Sequence, residues 1–210
     1  MKREEKNLIS RQKIMDSARR EFAEKGYGLS STNAICAAGE ISKGILYHYF
    51  QDKDALYLAC VQACFDGLTA FLQGRYQPST GDIPQQLNRY FSARLTYFEE
   101  HPEQQRIFCE AVIAPPEHLR PAIEEARSDF DRFNIEILDA LLSQVTLRGE
   151  VSRSEVIETF RLYQDFINAR FQMSGGPDFD LQAREQFCQR AVLTLLYGVI
   201  EPGEEENTHA

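Results

Sequence analysis

The chain has 210 residues, 43% of them hydrophobic, and a formal net charge of -9. That is room for one large globular domain or two small ones, and no run approaches the roughly eighteen apolar residues that a membrane-spanning helix needs. The charged start, residues 1–6, is not followed by the apolar stretch of a signal peptide, so a cytoplasmic protein is expected, with Cys36, Cys60, Cys64, Cys109 and Cys188 as reduced core thiols.

In chain order, residues 1–6 lack an apolar face and read as a mobile arm. Over residues 7–25, Ile14, Ala18 and Phe22 recur every four residues, which predicts an amphipathic helix closed by Gly26 as a left-handed cap. Residues 30–38 open with hydroxyl groups suited to cap a helix start, and they place Ile35 and Ala38 on one apolar face. Gly39 and Glu40 interrupt the pattern, and Ser42 can cap a further short helix over residues 42–49 with Leu46 and Tyr49 inward. Ile45 reads both ways, inward beside Leu46 or outward where its methyls meet a thymine methyl. Two short helices joined by a tight turn form a helix-turn-helix unit, which lays its second helix in the major groove of DNA. At about 1.5 Å per residue that second helix is about 12 Å long, comparable with the groove's width. Its leading turn is Ser42, Lys43 and Gly44: Lys43 can donate to guanine O6 and N7, and Gly44 lets the backbone approach closely.

Arg11, Ile14, Ser17, Ala18, Phe22, Gly26, Tyr27, Ser30, Ser31, Ile35, Cys36, Ser42, Lys43, Gly44, Leu46, Tyr47, His48, Tyr49, Phe50, Lys53 and Leu56 stand at fixed spacing. In that spacing the chain closely resembles the tetracycline-repressor family of bacterial transcription regulators, over about a quarter of its length. The resemblance implies an all-α fold, with an N-terminal three-helix DNA-binding domain followed by a helical ligand-binding and dimerisation domain. It also implies phosphate contacts from Ser31, Thr32, Tyr47, Tyr49 and Lys53 and a base contact from Asn33, whose amide can pair with adenine. The turn departs from the family's usual Ala-Gly: here it is Gly39 and Glu40, and a positive φ at Glu40 would cost about 1 kcal/mol relative to Gly. His48 has no second ligand at metal spacing nearby.

Asp52 caps a helix over residues 53–74 that carries Leu56, Ala59 or Cys60, Ala63 or Cys64, Leu68 and Phe71 inward. A loop over residues 77–84 leads to helices over residues 84–100, from Pro102 to the Ala114, Pro115, Pro116 stop, and over residues 121–147. Helices over residues 153–173 and 181–200 follow, separated by Gly175, Gly176 and Pro177, which makes about nine in all. These last two carry wide apolar faces, with Val156, Phe160, Tyr163, Ile167 and Phe171 on one and Ala191, Val192, Leu195, Leu196 and Val199 on the other. Such a pair suits a four-helix interface with a second copy, and the resembled family dimerises in this region; the alternative is burial of the same faces inside one chain. Residues 201–210 are acidic and read as disordered.

Residues 1–54 hold ten Lys/Arg against eight Asp/Glu, a balance of +2, while residues 55–210 hold thirteen against twenty-four, a balance of -11. Every lysine lies at or before Lys53. The reading is a cationic DNA-binding domain, residues 1–54, on an acidic effector-binding and dimerisation body, residues 55–200, that limits non-specific adhesion to DNA. The body is rich in aromatic rings, and the resemblance implies a cavity there for a small apolar or aromatic effector; Cys60, Cys64, Phe98, Phe108 and Tyr163 are candidates to line it. Cys60 and Cys64 share a helical face, which also leaves open a redox or soft-metal role.

The function expected is therefore a homodimeric repressor that leaves a pseudo-palindromic operator on double-stranded DNA when a small ligand displaces the helix after Asp52, with no cofactor and no enzymatic activity. A ligand-independent regulator or an activator fits the same residues. An enzyme in the body would have to be built from His101, Cys109 and His118, which form no recognisable pattern.

Overall fold

The computed structural model describes residues 3–76, 82–173 and 181–200. Among them the chain forms ten α-helices and one 3₁₀ turn. These are α1 (Arg3–Leu29), α2 (Thr32–Ala38), α3 (Lys43–Tyr49), α4 (Lys53–Arg75), α5 (Ile83–Glu100) and α6 (Pro102–Ile113), then the 3₁₀ turn (Glu117–Leu119), α7 (Arg120–Ala126), α8 (Ser128–Leu142), α9 (Arg153–Met173) and α10 (Leu181–Val199). An isolated antiparallel bridge joins Leu147 to Ile200. The chain is all-α, as its 3.6-residue periodicities require.

Three boundaries differ from expectation. Helix α1 starts at Arg3, so residues 3–6, expected as a mobile arm, are helical. It is kinked at Gly26, where φ is 71° and ψ is 169°. A side chain there would be strained by that φ and would place its Cβ 3.0 Å from Glu110 Oε1, so glycine both turns the chain and admits the carboxylate. The single helix expected over residues 121–147 is two helices. At Arg127, with φ -91° and ψ -3°, the N–H bonds Ile123 O at 3.0 Å and closes α7. A single intervening residue, still in the right-handed helical region, leaves the apolar phase nearly intact, which is why periodicity did not register the break. The expected breaks at residues 77–81 and at Gly175, Gly176 and Pro177, and the tail over residues 201–210, lie outside the described residues.

By contact the chain groups into two units, Met1–Gln73 with Thr96–Asp131, and Gly74–Leu95 with Arg132–Ala210. The boundary expected after residue 54 falls inside the first unit, because α1 packs more extensively on α6 than on any other helix. In this unit Ile14, Ala18 and Phe22 point inward as predicted. By length and composition α4 could cross a membrane, yet its Leu56, Tyr57, Cys60, Val61, Cys64, Phe65, Leu68 and Leu72 are buried inside the chain, which is the pattern of a core helix.

In the second unit α9 packs on α10. Val156, Phe160, Ile167, Val192 and Leu196 are buried there within the single chain, and Leu195 and Val199 are half-buried. The sequence assigned all seven to a dimer interface, and the five buried ones are interior instead. The apolar residues these helices turn outward are Leu162, Tyr163, Phe166, Phe187 and Tyr197, with Leu162, Phe166 and Tyr197 each more than 60% exposed. Both helices carry two apolar stripes, and a stripe's period does not say which one faces in.

Candidate nucleic-acid interface

Ser31 is the N-cap of α2, extended at φ -138° and ψ 144°, and its Oγ accepts from Ala34 N at 3.1 Å. Its own N–H donates to Glu21 Oε1 of α1 at 3.2 Å. Inside, Ile35 and Cys36 are buried, whereas Ala38, expected beside Ile35, is exposed. Ser17 Oγ of α1 donates to Ile35 O at 2.7 Å and holds α2 in place from beneath. The turn that follows takes the strained conformation anticipated from sequence, since Glu40 has φ 49°. Gly39 ahead of it is closely packed, with a Cβ there falling 2.5 Å from Ile41 Cδ1 and 3.1 Å from Ser17 Cβ.

Ser42 caps α3, its Oγ accepting from Ile45 N at 3.2 Å. Leu46 is fully buried and fixes the phase of this short helix, so Lys43, Gly44, Ile45, Tyr47 and His48 all face outward. Ile45 is 45% exposed and Tyr47 48%, which settles Ile45 as an outward residue. Tyr47 OH lies 3.3 Å from Thr32 Oγ1, joining the start of α2 to the outer face of α3. Asn33 is exposed in the first turn of α2. Tyr49 is half-buried, and its hydroxyl donates to Asn7 Oδ1 of α1 at 3.1 Å. The result is a rigid outward set of one ammonium, one open backbone position, two methyl-bearing or aromatic side chains and several hydroxyls, a donor-rich surface suited to phosphates and base edges.

Lys53 has a second occupation that the sequence did not indicate. Its Nζ donates to Tyr27 O at 2.7 Å and Ser30 O at 3.2 Å, and it sits 4.1 Å from the Tyr27 ring centre. Two of its three donors thus tie the start of α4 to the end of α1. Asp52 caps α4 as expected, accepting from Ala55 N at 2.8 Å.

Beside this lies a cluster that sequence reasoning missed. Glu110 of α6 accepts from Tyr27 N at 2.8 Å and from the Tyr57 hydroxyl of α4 at 2.9 Å. Burial raises the Glu110 pKa above its ordinary value although these donors oppose the shift. The Tyr27 hydroxyl donates to Asp54, and His118 Nε2 stands 3.1 Å from Asp54 and 3.2 Å from the Tyr27 hydroxyl. Burial, reinforced by Asp54, pushes the Tyr27 phenol up to about 12. Residues 83 positions apart leave no local signal of such a contact; Tyr27 stood out only as part of a family motif.

The five candidate effector-lining residues fall in different units. Cys60, Cys64, Phe98 and Phe108 are buried in the first unit, with Phe108 4.9 Å from Phe98 and 5.6 Å from Phe65 between ring centres. Tyr163 belongs to the second unit and is exposed. Burial pushes the Cys60 thiol up to about 12 and raises Cys64 further, so neither is a ready thiolate at neutral pH. Among the described residues no three His, Cys, Asp or Glu side chains gather as a metal site would need.

Comparison with known proteins gives this arrangement its relatives. Residues 14–60 match the model of the "Bacterial regulatory proteins, tetR family". The HTH-type transcriptional repressor Rv1474c of Mycobacterium tuberculosis is 45% identical over 49 residues, 23% of this chain and 26% of the relative. The match thus spans about a quarter of that curated relative's length. Two solved structures share the fold at larger scale: a regulatory protein TetR from Rhodobacter sphaeroides (TM-score 0.61, 18% identity, 87% of this chain and 98% of that one) and the transcriptional regulator FadR from Bacillus subtilis in complex with stearoyl-CoA (TM-score 0.65, 15% identity, 87% and 97%). The chain is thus similar to the tetR family of bacterial regulatory proteins in sequence over residues 14–60, and it shares the fold of these two solved structures along most of its length.

Proposed function

We propose that the protein is a cytoplasmic, homodimeric, sequence-specific DNA-binding regulator and not an enzyme, acting as a repressor that a small molecule releases from a pseudo-palindromic operator. The observation that carries this reading is the outward set of α3: Leu46 is locked inside while Lys43, Gly44, Ile45 and Tyr47 face out. Lys43, Ile45 and Asn33 read base edges; Ser31, Thr32, Ser42, Tyr47, Tyr49 and the remaining donor of Lys53 hold phosphates, and Gly44 lets the backbone close on the groove. Residues 1–54 are the functional head, and residues 55–200 bind the effector and the second copy. The exposed stripe of Leu162, Tyr163, Phe166, Phe187 and Tyr197 supports a two-fold dimer through α9 and α10, which spaces two reading helices about 34 to 36 Å apart. That FadR is seen with stearoyl-CoA supports an effector in the body.

Glu110 supplies a route from body to head. It joins α6, α4 and α1 through Tyr57 and Tyr27, so a ligand that shifts α4 or α6 disturbs the seat of the reading helices. A coupling of roughly 1 to 3 kcal/mol would lower operator occupancy several-fold or more. Selection from a random duplex pool with purified protein tests the reading. The expected product is a site with two half-sites about one helical turn apart, and failure to enrich any sequence at low salt would overturn it.

A further inference from the structure

The start of α1 meets the end of α3. Asn7 and Arg11 stand one turn apart on one side of α1, and they touch successive residues of the chain as it leaves α3. The Tyr49 hydroxyl donates to Asn7 Oδ1 at 3.1 Å, and the Arg11 guanidinium lies 5.5 Å from the centre of the Phe50 ring. Asn7 and Arg11 are both exposed, whereas Tyr49 is half-buried and Phe50 buried. Tyr49 follows Ile45 by one turn of α3, on the side that carries the outward residues, so Asn7 borders that outward surface. The seven residues of α3 rise about 10 Å, against a major groove about 12 Å wide. With its leading turn at the base edges, its far end comes to the rim of the groove, where the phosphates lie.

Only some groups at that rim can hold a phosphate. A phenol has one proton, and that of Tyr49 is given to Asn7. Tyr49 is left with lone pairs, which an anionic oxygen repels. Asn7 spends its carbonyl oxygen on this bond and keeps both N–H donors of its amide, which have no hydrogen-bond partner among the described residues. The bond also fixes the amide plane, so those donors are set before a ligand arrives. Arg11 makes no hydrogen bond or ion pair among the described residues, and it adds a positive charge one helical turn away.

We propose that Asn7, set by Tyr49 and backed by Arg11, is a phosphate-binding residue outside the helix-turn-helix, and that Tyr49 holds its phosphate through the Asn7 amide and not with its own proton. The inference deepens the DNA-binding reading above and rests on it.

The test uses the full chain on the duplex it selects and on a scrambled one, well below the melting temperature of each variant. Asn7→Ala is expected to weaken binding about tenfold on both duplexes, as suits a lost hydrogen bond to a charged group. Asn7→Asp keeps the acceptor for Tyr49 but sets a carboxylate against the phosphate, so it should bind more weakly still. Tyr49→Phe should weaken the otherwise unaltered chain and change nothing further in Asn7→Ala. Arg11→Gln should reduce the slope of log affinity against log salt by about one per protomer. In the selected duplex, one methylphosphonate in each half-site should weaken binding by the unaltered chain and leave Asn7→Ala indifferent. The proposal is overturned by undiminished affinity in Asn7→Ala, by a Tyr49→Phe loss as large in the Asn7→Ala background as without it, by a salt slope that Arg11→Gln leaves untouched, or by the lack of any phosphate whose neutralisation Asn7→Ala masks. A chain that selects no duplex defeats the DNA-binding reading itself; one that selects a site and ignores these substitutions defeats this inference alone.

Discussion

Two surfaces of this molecule are built by the same device and differ in what the device displays. In α3 a single buried residue, Leu46, sets the phase, and the opposite side shows an ammonium, a bare backbone and hydroxyls. In α9 and α10 a full row of buried residues sets the phase, and the opposite side shows Leu162, Phe166 and Tyr197. The first is a surface water solvates well and a polyanion can claim; the second is one water solvates poorly and a matching apolar surface can cover. The lesson is that helical periodicity places a residue on a stripe, whereas the chemistry of the outward stripe indicates its partner.

The sharpest way to break this comparison is to charge the apolar surface. Phe166→Glu combined with Tyr197→Glu should leave the helical content intact, since both side chains are exposed, while converting dimer to monomer in sedimentation. Loss of the second reading head should then weaken operator binding by roughly 10² to 10⁴. Persistence of the dimer would place the interface elsewhere. Next in size, Lys43→Ala should cost about 1 to 3 kcal/mol on the selected site and much less on scrambled duplex. Equal loss on both would demote Lys43 from reader to phosphate clamp. Lys53→Ala should lower the unfolding free energy by about 1 to 2 kcal/mol through its bonds to Tyr27 and Ser30, and weaken binding to all sequences alike.

Glu40→Gly relieves a positive φ and should raise stability by about 1 kcal/mol in denaturant titration, with base preference retained. The smallest effect concerns pH. Because burial raises the folded-state pKa of Glu110 above 4.5, its contribution is fully present below that value and is lost as pH rises through the raised one. Glu110→Gln should therefore flatten the dependence of melting temperature on pH above 4.5.

Much of the head was legible because its signals are local. Ser31, Ser42 and Asp52 cap the helices that their types and positions announce, and the strain at Glu40 followed from one departure in a motif. What was not legible depends on distance or on phase. Ile45 and Leu46 are neighbours in a seven-residue helix, and two turns of pattern do not say which points inward. The five buried residues first assigned to the interface belong to the stripe that α9 and α10 bury within the second unit, and the stripe that faces out carries apolar residues too. Cys60, Cys64, Phe98 and Phe108 were chosen for type alone, and types that can line a cavity are the types that fill a core.

The carboxylate of Glu110 bears on how this head could be recombined with another trunk. It reaches from α6 to the backbone of Tyr27 and the hydroxyl of Tyr57, so a chain cut after residue 54 would leave both the amide of Tyr27 and the end of α1 without their acceptor. A chimaera that grafts this head onto a foreign trunk must therefore bring a carboxylate at the equivalent place, or the transplanted helices will be set on a loosened footing.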